Sequence, residues 1–214
     1  MNPVLWRIGA TVLWPFTHIV LRGRRVGPGR VPASGATLVV CNHLSNLDPP
    51  LVGVMALPRK MHFMAKSELF STKVGAWVLD GVGAFPVERG AGDREAIRFS
   101  REVLRAGECL IMFPEGTRSR SGRLRPFFSG AGVLALEEGV TVIPAAIWGS
   151  QRALGPVRVA FGAPIDMSDI PAGAKSVRAR EAVRRIQEAI CDLIPTVGGP
   201  PQIIPEGEPS LEKY

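Results

Sequence analysis

The stretch ATLVVCNHLSNLDPPLVGVMAL, residues 36–57, changes its period halfway along. Thr37 to Cys41 form an unbroken apolar and β-branched run, the composition of a strand buried on both faces. Pro49 and Pro50 suit a first helical turn, where a missing N–H costs no hydrogen bond, and the pattern predicts a short helix from about residue 50 to 56. A buried strand that leaves its sheet through a polar turn into a helix is the repeating unit of an α/β layer fold. The turn carries His43 and, five residues on, Asp48. One reading is a simple turn with an aspartate at the helix start; the other is an acid–base pair at the mouth of the sheet.

The remaining chain repeats the alternation. After the linker GPGRVPASG (27–35), strand patterns occur at MHFMAK (61–66), AFPVER (84–89), CLIMFPE (109–115), TVIPAAIW (141–148) and VRVAFGAPI (157–165). Between them lie helical patterns at KVGAWVLD (73–80), DREAIRFSREVLRAG (93–107) and AGVLALEEG (131–139), and a long charged helix follows at about 175–193. This predicts an α/β fold with a largely parallel central sheet flanked by helices. The organisation read from the chain is an N-terminal amphipathic, membrane-associating segment (1–25), a body (26–195) and a loosely ordered proline-rich tail (196–214).

The first segment, MNPVLWRIGATVLWPFTHIVLRGRR, has apolar pieces too short for the roughly 20 residues a spanning helix needs. Its positive charges, Arg22, Arg24 and Arg25, follow the apolar part, the reverse of a secretory signal. Leu5, Ile8, Val12, Phe16 and Ile19 recur at helical spacing, with Arg7, Thr11 and His18 on another side. That pattern suits a helix lying in a membrane interface, kinked near Pro15 and held by arginines on anionic lipid. The location expected is the cytoplasmic face of the cell membrane, peripheral or monotopic.

A net charge of +7 favours anionic partners. Nucleic acid is the poorer candidate, because a single Tyr and a 7% aromatic content supply few stacking platforms. The three cysteines, Cys41, Cys109 and Cys191, are far apart and make neither a disulfide framework nor a zinc pattern, so no metal is expected.

In parallel sheets, sites gather where strand C-termini meet loops. His43, Lys66, Arg89 and Glu115 each fall at such a strand end. A neutral imidazole serves as a general base near neutral pH, and an aspartate beside it orients the ring and stabilises the imidazolium. Arg89 and Arg118 offer guanidinium forks for a phosphate. Gly116 permits close backbone approach, Thr117 brings a hydroxyl, and Glu115 an acceptor for a substrate hydroxyl. Arg120, Arg123 and Arg125 read as a solvated or membrane-facing loop. LVGVMAL and VGAWVLDGVG read as core, with lining of an acyl groove as the alternative.

Four blocks, in order, now carry a resemblance. NHLSNLD (42–48) resembles the NHxxxxD motif of the glycerolipid acyltransferases, and FPEGTRS (113–119) matches their FPEGTRS block. GAFPVER (83–89), with Gly83, Phe85 and Arg89, resembles their glycine–phenylalanine–arginine block, and VIPAAIWGS (142–150) their fourth block around Pro144. The resemblance covers about residues 36–165 and points to a 1-acyl-glycerol-3-phosphate acyltransferase or a relative acylating another glycerolipid. It implies that His43 deprotonates a hydroxyl that attacks an acyl thioester, carried by coenzyme A or acyl carrier protein, with no cofactor beyond that donor. Asp48 would orient His43. Lys66, Gly83, Phe85, Arg89, Glu115, Gly116, Thr117 and Arg118 would bind a lyso-glycerophospholipid such as lysophosphatidic acid. One departure stands out: some members of that family carry basic residues in a stretch like PFKKG where this chain has PFFSG (126–130), a change expected to favour lipid contact over phosphate contact.

Two rivals follow from the residues. Cys41 and His43 lie two apart on a strand and so share a face, which admits a Cys–His thioesterase or thiol acyltransferase. A basic binding module without catalysis is the other.

Overall fold

The computed structural model describes residues 2–87, 94–152 and 154–205. It opens with helix α1 (Pro3–Pro15), capped by the Asn2 side chain, which accepts from the backbone N–H of Val4 and Leu5. Pro15 lacks the N–H that would continue the α pattern, and the chain passes there into a π-helical turn, Phe16–Val20. The alternating body follows: β1 (Arg24–Val26), β2 (Thr37–Cys41), α2 (Asp48–Met55), β3 (His62–Lys66), α3 (Lys73–Gly81) and β4 (Ala84–Val87). Then come α4 (Arg94–Arg105), β5 (Cys109–Met112), α5 (Gly130–Ala135), β6 (Thr141–Trp148), β7 (Arg158–Phe161) and α6 (Lys175–Leu193).

The strands form one sheet in the order β1-β7-β6-β2-β5-β3-β4. β6, β2, β5, β3 and β4 run parallel, β7 is antiparallel to β6, and β1 is parallel to β7. β2, the strand of the opening stretch, lies between β5 and β6 with all five residues buried. β1 is absent from the pattern of the sequence, because three residues with two arginines give no hydrophobic alternation. It forms because β7 offers an open edge, pairing Arg24 with Arg158 and Val26 with Ala160.

Helices cover both faces. Leu104 of α4, Leu134 of α5 and Ile186 and Ile190 of α6 pack with Leu38, Val40 and Leu110 of the sheet. Leu51, Val52 and Met55 of α2 pack on the other face with Val39, Cys41, Ile111 and Ile143. α4 carries the clearest sequence signal, and its inward residues Ala96, Ser100, Val103 and Leu104 recur at helical spacing.

Three expectations shift here. Ile8, Val12 and Ile19 do face outward, but Leu5, expected with them, packs against α3, where a Cβ on Gly81 would meet its side chain at 2.2 Å. The VGAWVLDGVG segment is core only in part: Val74, Trp77 and Val78 are exposed. The tail is ordered at its start, with a 3₁₀ turn at Ile194–Val197, buried Val197, and Gln202 bonded to the loop at Gly122 and Leu124. Among the described residues no helix is long and apolar enough to cross a membrane.

Candidate active site

His43 lies two residues beyond the end of β2, where the sheet stops and the turn into α2 begins. Asn42 holds that exit in place. Its side-chain oxygen accepts from the Ile147 N–H at 2.9 Å and its amide donates to the Ile147 carbonyl at 3.0 Å, so it extends the β2–β6 pairing past the last strand residue.

The turn then folds back so that Asp48, the first residue of α2, meets His43. The His43 Nδ1–H donates to Asp48 Oδ2 at 2.8 Å. The same oxygen accepts the backbone N–H groups of Leu44 at 2.6 Å and Ser45 at 2.7 Å. Three donors thus converge on one carboxylate oxygen at the first residue of α2. Asp48 is fully buried, and its Oδ1 meets no donor among the described residues. With Nδ1–H committed to the carboxylate, Nε2 carries the lone pair. The imidazole rests against the Phe113 ring, centroids 4.4 Å apart.

Glu115 lies inside the fold rather than in the cleft. It is 1% exposed; Oε1 accepts the His43 backbone N–H at 2.8 Å and Oε2 that of Arg125 at 3.2 Å. Burial pushes its carboxyl up to about 8, against the two N–H groups and the Arg125 charge, which favour the ionised form. The expectation that Glu115 accepts from a substrate hydroxyl is therefore corrected: both its oxygens serve main chain. Ser119 adds a second tie, its N–H donating to the His43 carbonyl at 2.7 Å.

Between these two anchors run Gly116, Thr117 and Arg118. Gly116 has φ +66° and a Cβ there would meet the Phe128 ring at 2.5 Å, so the turn and that ring approach require glycine. Thr117 is half-buried and Arg118 exposed, one residue from the tie to His43. The stretch PFFSG splits: Phe127 joins the core and Phe128 covers Gly116, so Phe127 is no lipid-facing ring.

Lys66 ends β3 at the same edge as His43, exposed and ion-paired to Glu68 at 2.5 Å. The pairing of β2, β5 and β3 sets it two strands away, roughly 10 Å at the usual strand spacing. Gly83 directly precedes β4 and Phe85 is its second residue, paired with Met64 in the middle of β3. Gly83 takes φ +92° to close α3, and Phe85 is buried with its ring 4.3 Å from that of Phe99. The parallel register sets Phe85 two residues, and Gly83 four, short of the Lys66 end of the sheet. Arg89 lies outside the described residues.

The thiol reading of Cys41 fails on geometry. Cys41 is fully buried, its Sγ–H faces Asn42 Oδ1 at 3.7 Å, and burial raises its pKa well above the usual thiol value. Asn42, Phe113, Ser119 and Gln202 all shape this edge and were not among the expected site residues. For the first three the signal was adjacency to the motif histidine or glutamate.

The arrangement is an imidazole bonded through Nδ1 to a buried carboxylate, beside an arginine-bearing loop at one sheet edge. A family model, Acyltransferase, matches residues 24–148. The chain is 31% identical over 167 residues to the 1-acyl-sn-glycerol-3-phosphate acyltransferase of Bacillus subtilis, covering 74% of this chain and 83% of that protein. It is 30% identical over 166 residues to the chloroplastic 1-acyl-sn-glycerol-3-phosphate acyltransferase BAT2 of Brassica napus, covering 72% of this chain and 46% of that protein. The chain spans about half the length of the plant relatives it matches. The crystal structure of the 1-acyl-sn-glycerophosphate acyltransferase PlsC from Thermotoga maritima superposes with a TM-score of 0.64 at 27% identity, covering 86% of this chain and 79% of that one. With more than half its length matched and this fold shared, the chain belongs to the acyltransferase family.

Proposed function

We propose that the protein transfers an acyl group from a thioester of coenzyme A or acyl carrier protein to the hydroxyl of a lyso-glycerophospholipid, lysophosphatidic acid yielding phosphatidic acid. The observation that carries this reading is the buried His43–Asp48 pair past the strand end, with Nδ1 and not Nε2 on the carboxylate. Nε2 takes the acceptor's hydroxyl proton as its oxygen attacks the thioester carbonyl. The tetrahedral adduct collapses, the C–S bond breaks, and the thiolate leaves with the proton returned by His43. Asp48 stabilises the imidazolium between these transfers. No covalent acyl-enzyme forms, because the alcohol itself is the nucleophile.

Arg118 and Thr117 would hold the acceptor's phosphate, a reading supported by the exposure of Arg118 beside the tie to His43, with Lys66 a more distant cation and Arg89 a further candidate from the sequence. α1, with its outward apolar stripe, suits a protein that meets its lipid acceptor at an anionic membrane surface. General-base help supplies about 10²–10⁴-fold, and positioning of acceptor and donor supplies much of the rest.

The test is product mass. Purified protein with palmitoyl-CoA and lysophosphatidic acid is expected to give phosphatidic acid and one thiol per product. Thiol release without acceptor would point to a thioesterase. No turnover with folded protein across acceptors and donors would favour the binding module.

A further inference from the structure

We propose that α3 and the turn before it form a second membrane-contacting element, so that α1 and α3 dock together on an anionic lipid surface. α3 breaks the usual pattern of a helix packed on a sheet. Val74 is 72% and Trp77 60% exposed, with Val78 beside them at the next turn position. Leu69, in the 3₁₀ turn Ser67–Phe70, is also exposed. Spacings of three and four residues put Val74, Trp77 and Val78 on one stripe.

This stripe has a neighbour. α1 lies along α3: Leu5 packs on Gly81, the Asn2 N–H donates to the Gly81 carbonyl at 3.1 Å, and a Cβ on Gly9 would meet Val82 at 3.3 Å. Ile8, 56% exposed, and Val12, 64% exposed, turn outward from those contacts with Val4. Two adjacent helices each expose an apolar stripe, and monomers rarely leave such surface to water.

Three observations select lipid as the occupant. A tryptophan lies in each stripe's helix, Trp77 and Trp14, both exposed, and indole rings favour the headgroup boundary. Exposed cations flank the stripes, Arg7 on α1 and Lys73 at the start of α3; the acidic neighbours are Asp80 on α3 and Glu68, the latter already paired with Lys66. The net charge of +7 complements anionic headgroups. α3 and its preceding turn also leave the sheet at the end of β3, the edge that carries His43. Docking on both helices would fix the orientation of that edge through two elements instead of one. This purpose rests on the acceptor being a lipid; the docking itself does not.

The experiment is partition onto sedimented vesicles, with full-length protein and the double variant Val74→Asp/Trp77→Asp. Vesicles contain phosphatidylglycerol and phosphatidylcholine, or phosphatidylcholine alone. Wild type is expected to prefer the anionic vesicles, and the variant to lose about tenfold or more in partition, while keeping its melting curve and its turnover on acceptor in detergent micelles. As a milder check, quenching of tryptophan emission by brominated lipid should fall in Trp77→Phe. Unchanged partition of the double variant, or unchanged quenching in Trp77→Phe, overturns the proposal. So does equal binding of wild type to both vesicles, or a wild-type dimer that the variant dissolves without any vesicle binding. Partition needs no turnover, so failure of the acyltransferase reading and failure of this one are read separately.

Discussion

Two polar loops meet at the sheet edge, and they treat their charges differently. In the turn from Asn42 to Asp48 the polar side chains of Asn42, His43 and Asp48 are buried and hydrogen-bonded: Asn42 to the Ile147 main chain, His43 to Asp48, Asp48 to two backbone N–H groups. In the loop from Glu115 to Arg125 the polar residues divide. Glu115 and Ser119 turn inward and hold the His43 main chain, while Arg118, Arg120, Arg123 and Arg125 stay exposed. A motif such as FPEGTRS thus mixes residues that build the site with residues free to meet a ligand. Spacing alone does not separate them; burial and hydrogen-bond partners do.

The contrast predicts different failures for the two loops. Asp48→Asn should cost most, because the buried oxygen that accepts three donors loses its charge and the imidazolium its partner. Turnover should fall about 10²–10⁴-fold; near-wild-type turnover would remove Asp48 from the mechanism. Arg118→Ala should instead leave folding intact and lower kcat/KM for a phosphorylated acceptor, by about tenfold to a hundredfold if a charge-assisted contact is lost. An equal loss on an acceptor without phosphate would contradict the role.

Glu115→Gln belongs with the building residues. It should lower stability by about 1–3 kcal/mol, because the NH2 that replaces one oxygen has no lone pair for the N–H that a carboxyl oxygen accepts, protonated or not, measured by urea unfolding. The pH dependence has a definite sign. The folded carboxyl is raised to about 8 from an ordinary 4.5, so the folded state holds the proton more tightly. Its contribution is full below about 4.5 and is lost as pH rises through about 8. The gap between wild type and Glu115→Gln should narrow across that window; a widening gap would reverse the assignment. The smallest effect is expected for Cys41→Ser: a thiol raised by burial is no nucleophile, so turnover should persist, and an isolable acyl-Cys41 would sink the direct-attack account.

Much of the frame was legible in residues 36–57 and in the alternation that follows, because buried parallel strands and amphipathic helices write long signals. All six expected strands form, and α6 spans Lys175–Leu193 as its pattern indicated. What was not legible depended on partners far away in sequence. β1 exists only because β7 presents an edge, and the tail is pinned through Gln202, some eighty residues from the loop it holds. The pairing of His43 with Asp48 was readable as a turn closing on itself. The inward face of Glu115 was not, since it depends on a hydrogen bond across 72 residues of sequence. Gly83 and Phe85 show the converse: their block resembles a substrate-binding motif, yet they serve a helix end and the core.

Whether His43 is the base for direct transfer is decided by acceptor-dependent thiol release from wild type and His43→Ala. With both proteins equally folded, saturated with palmitoyl-CoA and lysophosphatidic acid, the variant should turn over about 10²–10⁴-fold more slowly. Equal rates in the two proteins would contradict it.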